Sequence, residues 1–300
     1  MFGRRPEGRT VKGLDAITKL TPYIMTTRND AMCFITKYLD YDPINRYIRK
    51  KRAEGVRISV MEMLLAAYVR TVAKYPELNR FVVGRKLFAR RELCVSFAII
   101  KVRSATEFLE TTVKIFFDPT DTISEVARKV EETIAQNKTL EDENSTDKVA
   151  NVLVSIPGLL AFGVGLLKAL DRIGLMPRAI INASPFHTSM FITNVGSLGM
   201  GEMYHHLYNF GTTTVFLGLG KREYKLVMGA DGTVSKKSYY PMGAVIDERV
   251  SAGAMYGLAF DYFDHLLHHP EELETPPETV RYDYKNEYHT KSKKKVKAAQ

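Results

Sequence analysis

Proton transfer near neutral pH is histidine chemistry, and most of the chain's histidines fall into two groups. His187 and the adjacent pair His205-His206, in GEMYHHLYNF, flank the segment ITNVGSLG (192–199). His265, His268 and His269 sit at the end of an apolar stretch that stops at Pro270. A histidine in an apolar loop is more often a hydrogen-bonded structural residue than a catalyst, but His206 is kept as an alternative general base. The C-terminal three read as solvated side chains that complement a helix C-terminus. Neither group has the spacing of a three-ligand metal site, so no metal is expected. Cys33 and Cys94 lie in MCFI and LCVSF. Two cysteines make neither a disulfide framework nor a four-ligand zinc site, and both read as small core residues. Gly218-Leu219-Gly220 ends a strand with no Gly-rich helix start behind it, which argues against a phosphate loop.

The elements that must position these groups are legible in places. In ISVMEMLLAAYVRTVAKY (58–75), Ser59 precedes Glu62 by three residues, the spacing of a capping box, and apolar residues recur at helical spacing until Pro76. Thr122 and Glu125 repeat that spacing ahead of a second helix over 122–137. LCVSFAII (93–100) predicts a strand buried on both faces. Further strands are expected at Ser189–Thr193, Thr212–Leu219 and Met242–Ile246, with a hairpin turn at Asp231-Gly232. A third helix is expected over 253–268. Long helices interleaved with apolar strands indicate an α/β sandwich.

The 300 residues are 45% hydrophobic, ample for a core, and carry a formal charge of +9. Between Arg281 and Gln300 there are seven Lys/Arg against two acids, so the basicity belongs to a tail rather than a surface. That tail (281–300) reads as a disordered, solubilising extension, and no specific nucleic-acid partner is expected. The N-terminus lacks the apolar run of a signal peptide, which implies a cytoplasmic location by default. VLVSIPGLLAFGVGLL (152–167) has no charge but is shorter than the ~20 residues of a spanning helix. Pro157 and three glycines weaken it further. It reads as a buried or interface helical hairpin rather than a transmembrane segment.

Five segments, in order, resemble the catalytic domain of the 2-oxoacid dehydrogenase acyltransferase (E2) family. They are ISVMEMLLAAYVRTVAKYPELNR, ITNVGSLG, TVFLGLGK, DERVSAGA (247–254) and DYFDHLLHHPEEL (261–273). The resemblance implies a chloramphenicol-acetyltransferase-like fold, a two-layer α/β sandwich with a mixed β-sheet, over residues 1–280. It implies homotrimers with active sites in channels between subunits, in many members assembled into cages. Coenzyme A or an acyl-CoA would be the substrate. The family's lipoyl domain has no counterpart, since there is no Asp-Lys-Ala motif. An apolar insertion at about 148–187 replaces a short link and is expected to add packing surface, line an acyl channel or form an oligomer contact.

The resemblance also exposes departures. The family's histidine, a general base acting on a thiol, falls on Glu248. The aspartate four residues later falls on Ala252. The serine that stabilises the oxyanion falls on Thr193, which keeps the hydroxyl. The family's N-terminal arginine falls on Leu14 or Leu20. A carboxylate of ordinary pKa about 4.3 is a poor base for a thiol unless burial raises it. Two functions follow as expectations. One is an acyltransferase moving an acyl group from a coenzyme A-type thioester to an unknown acceptor, with an altered active site. The alternative is a catalytically silent scaffold or cage-forming assembly protein.

Overall fold

The computed structural model describes residues 5–102, 108–137, 154–155 and 158–283. The chain runs through β1 (Gly8–Thr10), α1 (Ala16–Ile24), β2 (Met32–Asp40), α2 (Tyr41–Ala53), α3 (Val60–Lys74), β3 (Arg80–Val83), β4 (Lys86–Arg90) and β5 (Leu93–Val102). It continues through β6 (Phe108–Phe117), α4 (Ile123–Gln136), α5 (Leu159–Ile173), α6 (Arg178–Ala183), β7 (Met190–Asn194), β8 (Val215–Leu219), β9 (Glu223–Met228), β10 (Val234–Asp247) and α7 (Gly253–His268).

The main sheet has the order β2-β10-β8-β7-β5-β6, with β9 paired to the first half of β10. β7 is parallel to both β5 and β8 and the other pairs are antiparallel, so the sheet is mixed. β1, β4 and β3 form a small separate sheet. The side-chain alternation of the central strands divides the core in two. Met190, Ile192, Val215, Leu217, Met242, Ala244 and Ile246 face the helical layer. Phe191, Phe216 and Val245 point the other way, where Leu207 covers them.

Both predicted capping boxes form. Ser59 and Glu62 close the start of α3, and Thr122 and Glu125 close the start of α4. Each satisfies backbone N–H groups that would otherwise lack partners. From Met63 to Ala73, α3 is buried without a break, and it packs against α4 and α7. Truncating one of its leucines to alanine is expected to cost about 2–5 kcal/mol.

Three expectations shift. Only Val215–Leu219 of the 212–219 segment is paired strand, because the N–H groups of Thr212 and Thr213 bond the Phe186 carbonyl instead. β10 is far longer than Met242–Ile246, because the Asp231-Gly232 turn returns the chain straight into it. The body also extends past residue 280. The Arg281 N–H donates to the Ala73 carbonyl, and Arg80 forks onto Asp283. The expected tail beyond that point lies outside the described residues.

The apolar insertion is buried unevenly: Leu160, Phe162 and Leu166 of α5 are exposed, whereas from Asp171 onward it is fixed to the body, with Met176 and Ile181 buried and Lys114 donating to the Ile181 and His187 carbonyls. The first part of the expected hairpin lies largely outside the described residues. Among the described residues, no helix is long and apolar enough to cross a membrane.

Candidate active site

The C-terminal end of β7 delivers Thr193 to a shallow bed made by three glycines. Segment 201–205 runs so close over β8 and β10 that a Cβ at Gly218 would lie 2.2 Å from the Met203 carbonyl oxygen, and one at Gly243 2.6 Å from the same atom. At Gly220 a Cβ would meet the Glu202 nitrogen at 2.5 Å. No side chain fits those gaps, so glycine is needed for the segment to lie flat. The segment is pinned to β2 by a hydrogen bond between the Tyr204 and Thr36 hydroxyls, and by Phe34 edge-on to Tyr204.

This path brings His205 to Thr193, with Nε2 2.9 Å from Oγ1. The imidazole stacks on Phe216, with ring centroids 4.4 Å apart. Burial, and then the neighbouring His206, push its pKa below the ordinary histidine value. The ring is therefore neutral at pH 7 and able to accept a proton. His206, singled out from the sequence, is exposed instead. Adjacent residues of an extended segment face opposite ways, and it is His205 that turns inward.

The C-terminal end of β10 is an ionic lock. Asp247 is fully buried. Arg249 forks onto it at 2.8 and 2.7 Å, and Arg28 Nε approaches at 3.6 Å. The Tyr256 hydroxyl donates to the Asp247 carbonyl. Burial lowers the Arg28 pKa to about 10, with Asp247 opposing the shift, so the guanidinium stays charged at pH 7. The family pattern places its N-terminal arginine on Leu14 or Leu20, neither of which can pair with an acid. Arg28 supplies the cation instead, reaching the first aspartate of the motif, whereas Leu14 packs on the core and Leu20 is exposed.

Glu248 follows directly, exposed, its N–H donating to the Ala31 carbonyl. Its carboxylate faces Cys33. Burial first, and then Glu248, raise that thiol's pKa. Ala252 is the N-cap of α7 and makes no side-chain cap. The aspartate expected at this position would have capped that helix.

Thr193 and Glu248 do not meet within one chain. Thr193 pairs with Gly218, and Gly218 with Gly243. Glu248 lies five residues beyond Gly243, just past the end of β10, roughly 16 Å along the strand at about 3.3 Å per residue, and Thr193 sits two strand spacings of about 4.8 Å to the side. Any shared site needs two copies.

His187 belongs elsewhere. It is buried, with Nδ1 2.8 Å from the Ser184 hydroxyl and Nε2 3.2 Å from Asp171, which also pairs with Arg5. Burial lowers its pKa and Asp171 opposes the shift. The cluster ties the end of α5 to the N-terminal segment. His265, His268 and His269 are part-exposed around the end of α7, as expected. Among the described residues no group of three His, Cys, Asp or Glu could hold a metal. Both cysteines are free, Cys94 in the core and Cys33 only partly buried.

No protein-family model and no curated protein matches this chain. Solved structures do. A probable dihydrolipoamide acetyltransferase from Listeria monocytogenes is 15% identical, with a TM-score of 0.53, over 89% of this chain and 96% of that one. The cubic core of the pyruvate dehydrogenase multienzyme complex is 14% identical at 0.53, over 86% and 88%. A chloramphenicol acetyltransferase is 11% identical at 0.51, over 87% and 99%. The chain thus has the fold of the acyltransferase cores of 2-oxoacid dehydrogenase complexes, with their chloramphenicol-acetyltransferase-like mixed α/β architecture. At these identities the likeness establishes the fold.

Proposed function

We propose that the protein transfers an acyl group from a coenzyme A-type thioester to an acceptor, using Thr193 and His205. The observation that carries this reading is the 2.9 Å contact between the Thr193 hydroxyl and a neutral imidazole. Attack on a thioester carbonyl needs a base to take the acceptor's proton and a donor to hold the oxyanion. His205 serves as the base. The Thr193 hydroxyl, at the position of the family's oxyanion serine, turns its proton toward the developing charge. When the tetrahedral intermediate collapses, the coenzyme A sulfur leaves and takes the proton held by His205. Glu248, the altered base expected from the family pattern, could contribute only from a second copy.

The assembly proposed with it is a homotrimer or a multiple of three. Two apolar surfaces support self-association: Ile17, Leu20 and Ile24 on α1, and Leu160, Phe162 and Leu166 on α5, all exposed in the single chain. Sedimentation at micromolar concentration should give a trimer or a larger multiple, and a stable monomer contradicts that part.

A silent scaffold is the second reading. It is favoured by the uncapped Ala252 and by the distance between Glu248 and Thr193 in one chain. The two are separated by measuring thiol release from a panel of acyl-CoA thioesters with amine and thiol acceptors. Turnover that falls by about 10²–10³-fold in Thr193→Val is the expected result. No turnover from the assembled wild type leaves the scaffold.

A further inference from the structure

A cavity of about 310 Å³ opens beside the Asp247 lock, on the side away from Thr193. Five pieces of chain line it: the loop after α1, the tip of the β3–β4 hairpin, the last turns of α5, segment 209–211 and Arg249. Its walls carry five cations, Arg28, Arg85, Lys168, Arg172 and Arg249, against one acid, Asp171. That acid is already paired with Arg5. Arg28 and Arg249 share Asp247. Arg85, Lys168 and Arg172 have no carboxylate partner among the described residues, so the cavity holds an uncompensated surplus of positive charge.

Three details show that the surplus is built in. Arg85 is the only non-glycine residue among those described with positive φ, at 65°. It follows Gly84, φ 56°, in a two-residue hairpin turn where Asn-Gly is the usual solution. An L-residue with a long side chain is disfavoured in that conformation. The turn holds an arginine there nonetheless, its guanidinium 5.3 Å above the Tyr23 ring, a contact that positions the cation without neutralising it. Next, Arg28 is buried, and its Nε faces the Asp247 carboxylate at 3.6 Å, so this wall of the cavity is fixed by a buried ion pair. Its two terminal nitrogens are spent on the Tyr208 and Val82 carbonyls. Finally, the Asn209 carboxamide oxygen accepts from the N–H groups of Arg28 and Asn29, which fixes the side chain with its amide nitrogen as a spare donor.

Arg172 also complements the C-terminus of α5, but that role does not account for Arg85 or Lys168. Guanidinium groups with neutral N–H donors form the chemistry that recognises phosphate oxygens. The volume lies at the small end of ligand pockets.

We propose that this cavity binds a phosphorylated small molecule carrying at least two negative charges, through Arg85, Lys168 and Arg172. Because α5 supplies one wall, the site belongs to the insertion. It does not depend on the acyl-transfer reading, and its test does not use activity.

The test is calorimetric titration of the full chain with inorganic pyrophosphate and, separately, adenosine 3′,5′-diphosphate, at low and at raised salt. The expected result is saturable binding of one molecule per chain, weakened at higher salt. Arg85→Gly should weaken it ten-fold or more while the thermal midpoint holds or rises, because glycine relieves the turn. Lys168→Ala with Arg172→Gln should do the same. Pyrophosphate binding as tightly as the nucleotide would assign the site to a free phosphate group, and a preference for the nucleotide to a nucleotide handle. Two results would overturn the proposal. One is no saturable binding of either probe. The other is binding unchanged in both variants, which would mean an adventitious ion only.

Discussion

Two places along the second half of β10 make opposite uses of polar side chains. At the Asp247 end, a buried carboxylate is gripped by Arg249 and approached by Arg28, with Tyr256 bonded to the adjoining carbonyl. Every group is committed. Near Gly243, on the neighbouring strands, a threonine hydroxyl and a neutral histidine meet in a half-buried site under a flat loop. Those groups retain proton-transfer capacity. The family pattern points to the Asp247 end, through Glu248, as the place for the base. In this chain a neutral imidazole lies beside Thr193, next to Gly243 in the middle of the sheet. On the proposed function, a motif can keep its charged frame while its chemistry lies elsewhere.

The largest expected effect falls on the locked end. Asp247→Asn leaves two buried guanidinium groups without their carboxylate and should lower the unfolding free energy by about 3–5 kcal/mol in urea. A loss under about 1 kcal/mol would show that Arg28 and Arg249 reach solvent, and would erase the contrast.

Acidification should act through the histidines. His187 and His205 both have pKa values lowered by burial. The unfolded chain then binds their protons more readily than the folded one. Stability should be complete above the ordinary histidine value, near pH 6.5. It should decline as pH falls below that and level off beneath the folded-state values. Midpoint denaturant concentrations between pH 5 and 8 would reveal it, and His187→Gln would separate the structural share from that of His205.

Ala252→Asp should cap α7 and raise stability by about 1 kcal/mol, read from the thermal midpoint. No change would mean that the start of α7 is already satisfied by other donors and acceptors. The smallest effect is expected for Glu248→Gln. Its exposed carboxylate is displaced from Thr193 by roughly 16 Å along the strands and by two strand spacings of about 4.8 Å across them. The rate should drop far less than the 10²–10⁴-fold typical of losing a general base. A drop of that size would bring Glu248 into the site from a neighbouring copy and shift the chemistry back to the motif.

The parts of the molecule that were legible in the sequence are those coded locally. The capping boxes at Ser59 and Thr122 and the span of α7 come from residues three or four apart, and they stand as expected. β2 and α2 went unassigned. β2 mixes Thr and Lys with aromatics and is only partly buried along its length, and α2 is dominated by Lys and Arg. The chloramphenicol-acetyltransferase-like architecture was legible through segments such as ITNVGSLG, whose backbone turns depend on particular residues. Arg28 was not, because its partner is distant in sequence and no spacing encodes the meeting. The choice between His205 and His206 was equally hidden. Gly218, Gly220 and Gly243 hold the clue, but only once the fold sets Gly218 and Gly243 side by side beneath Met203 and Gly220 beneath Glu202.

The central claim is that His205 is the working base beside Thr193. Its most direct test is the pH dependence of acyl transfer from a coenzyme A thioester, for wild type and for His205→Gln. The account predicts a wild-type rate that is level around pH 7 and falls on an acid limb below about 6.5, as the imidazole is protonated. It predicts a variant at least about 10²-fold slower that has lost this limb. Equal rates and the same acid limb in both proteins would contradict it.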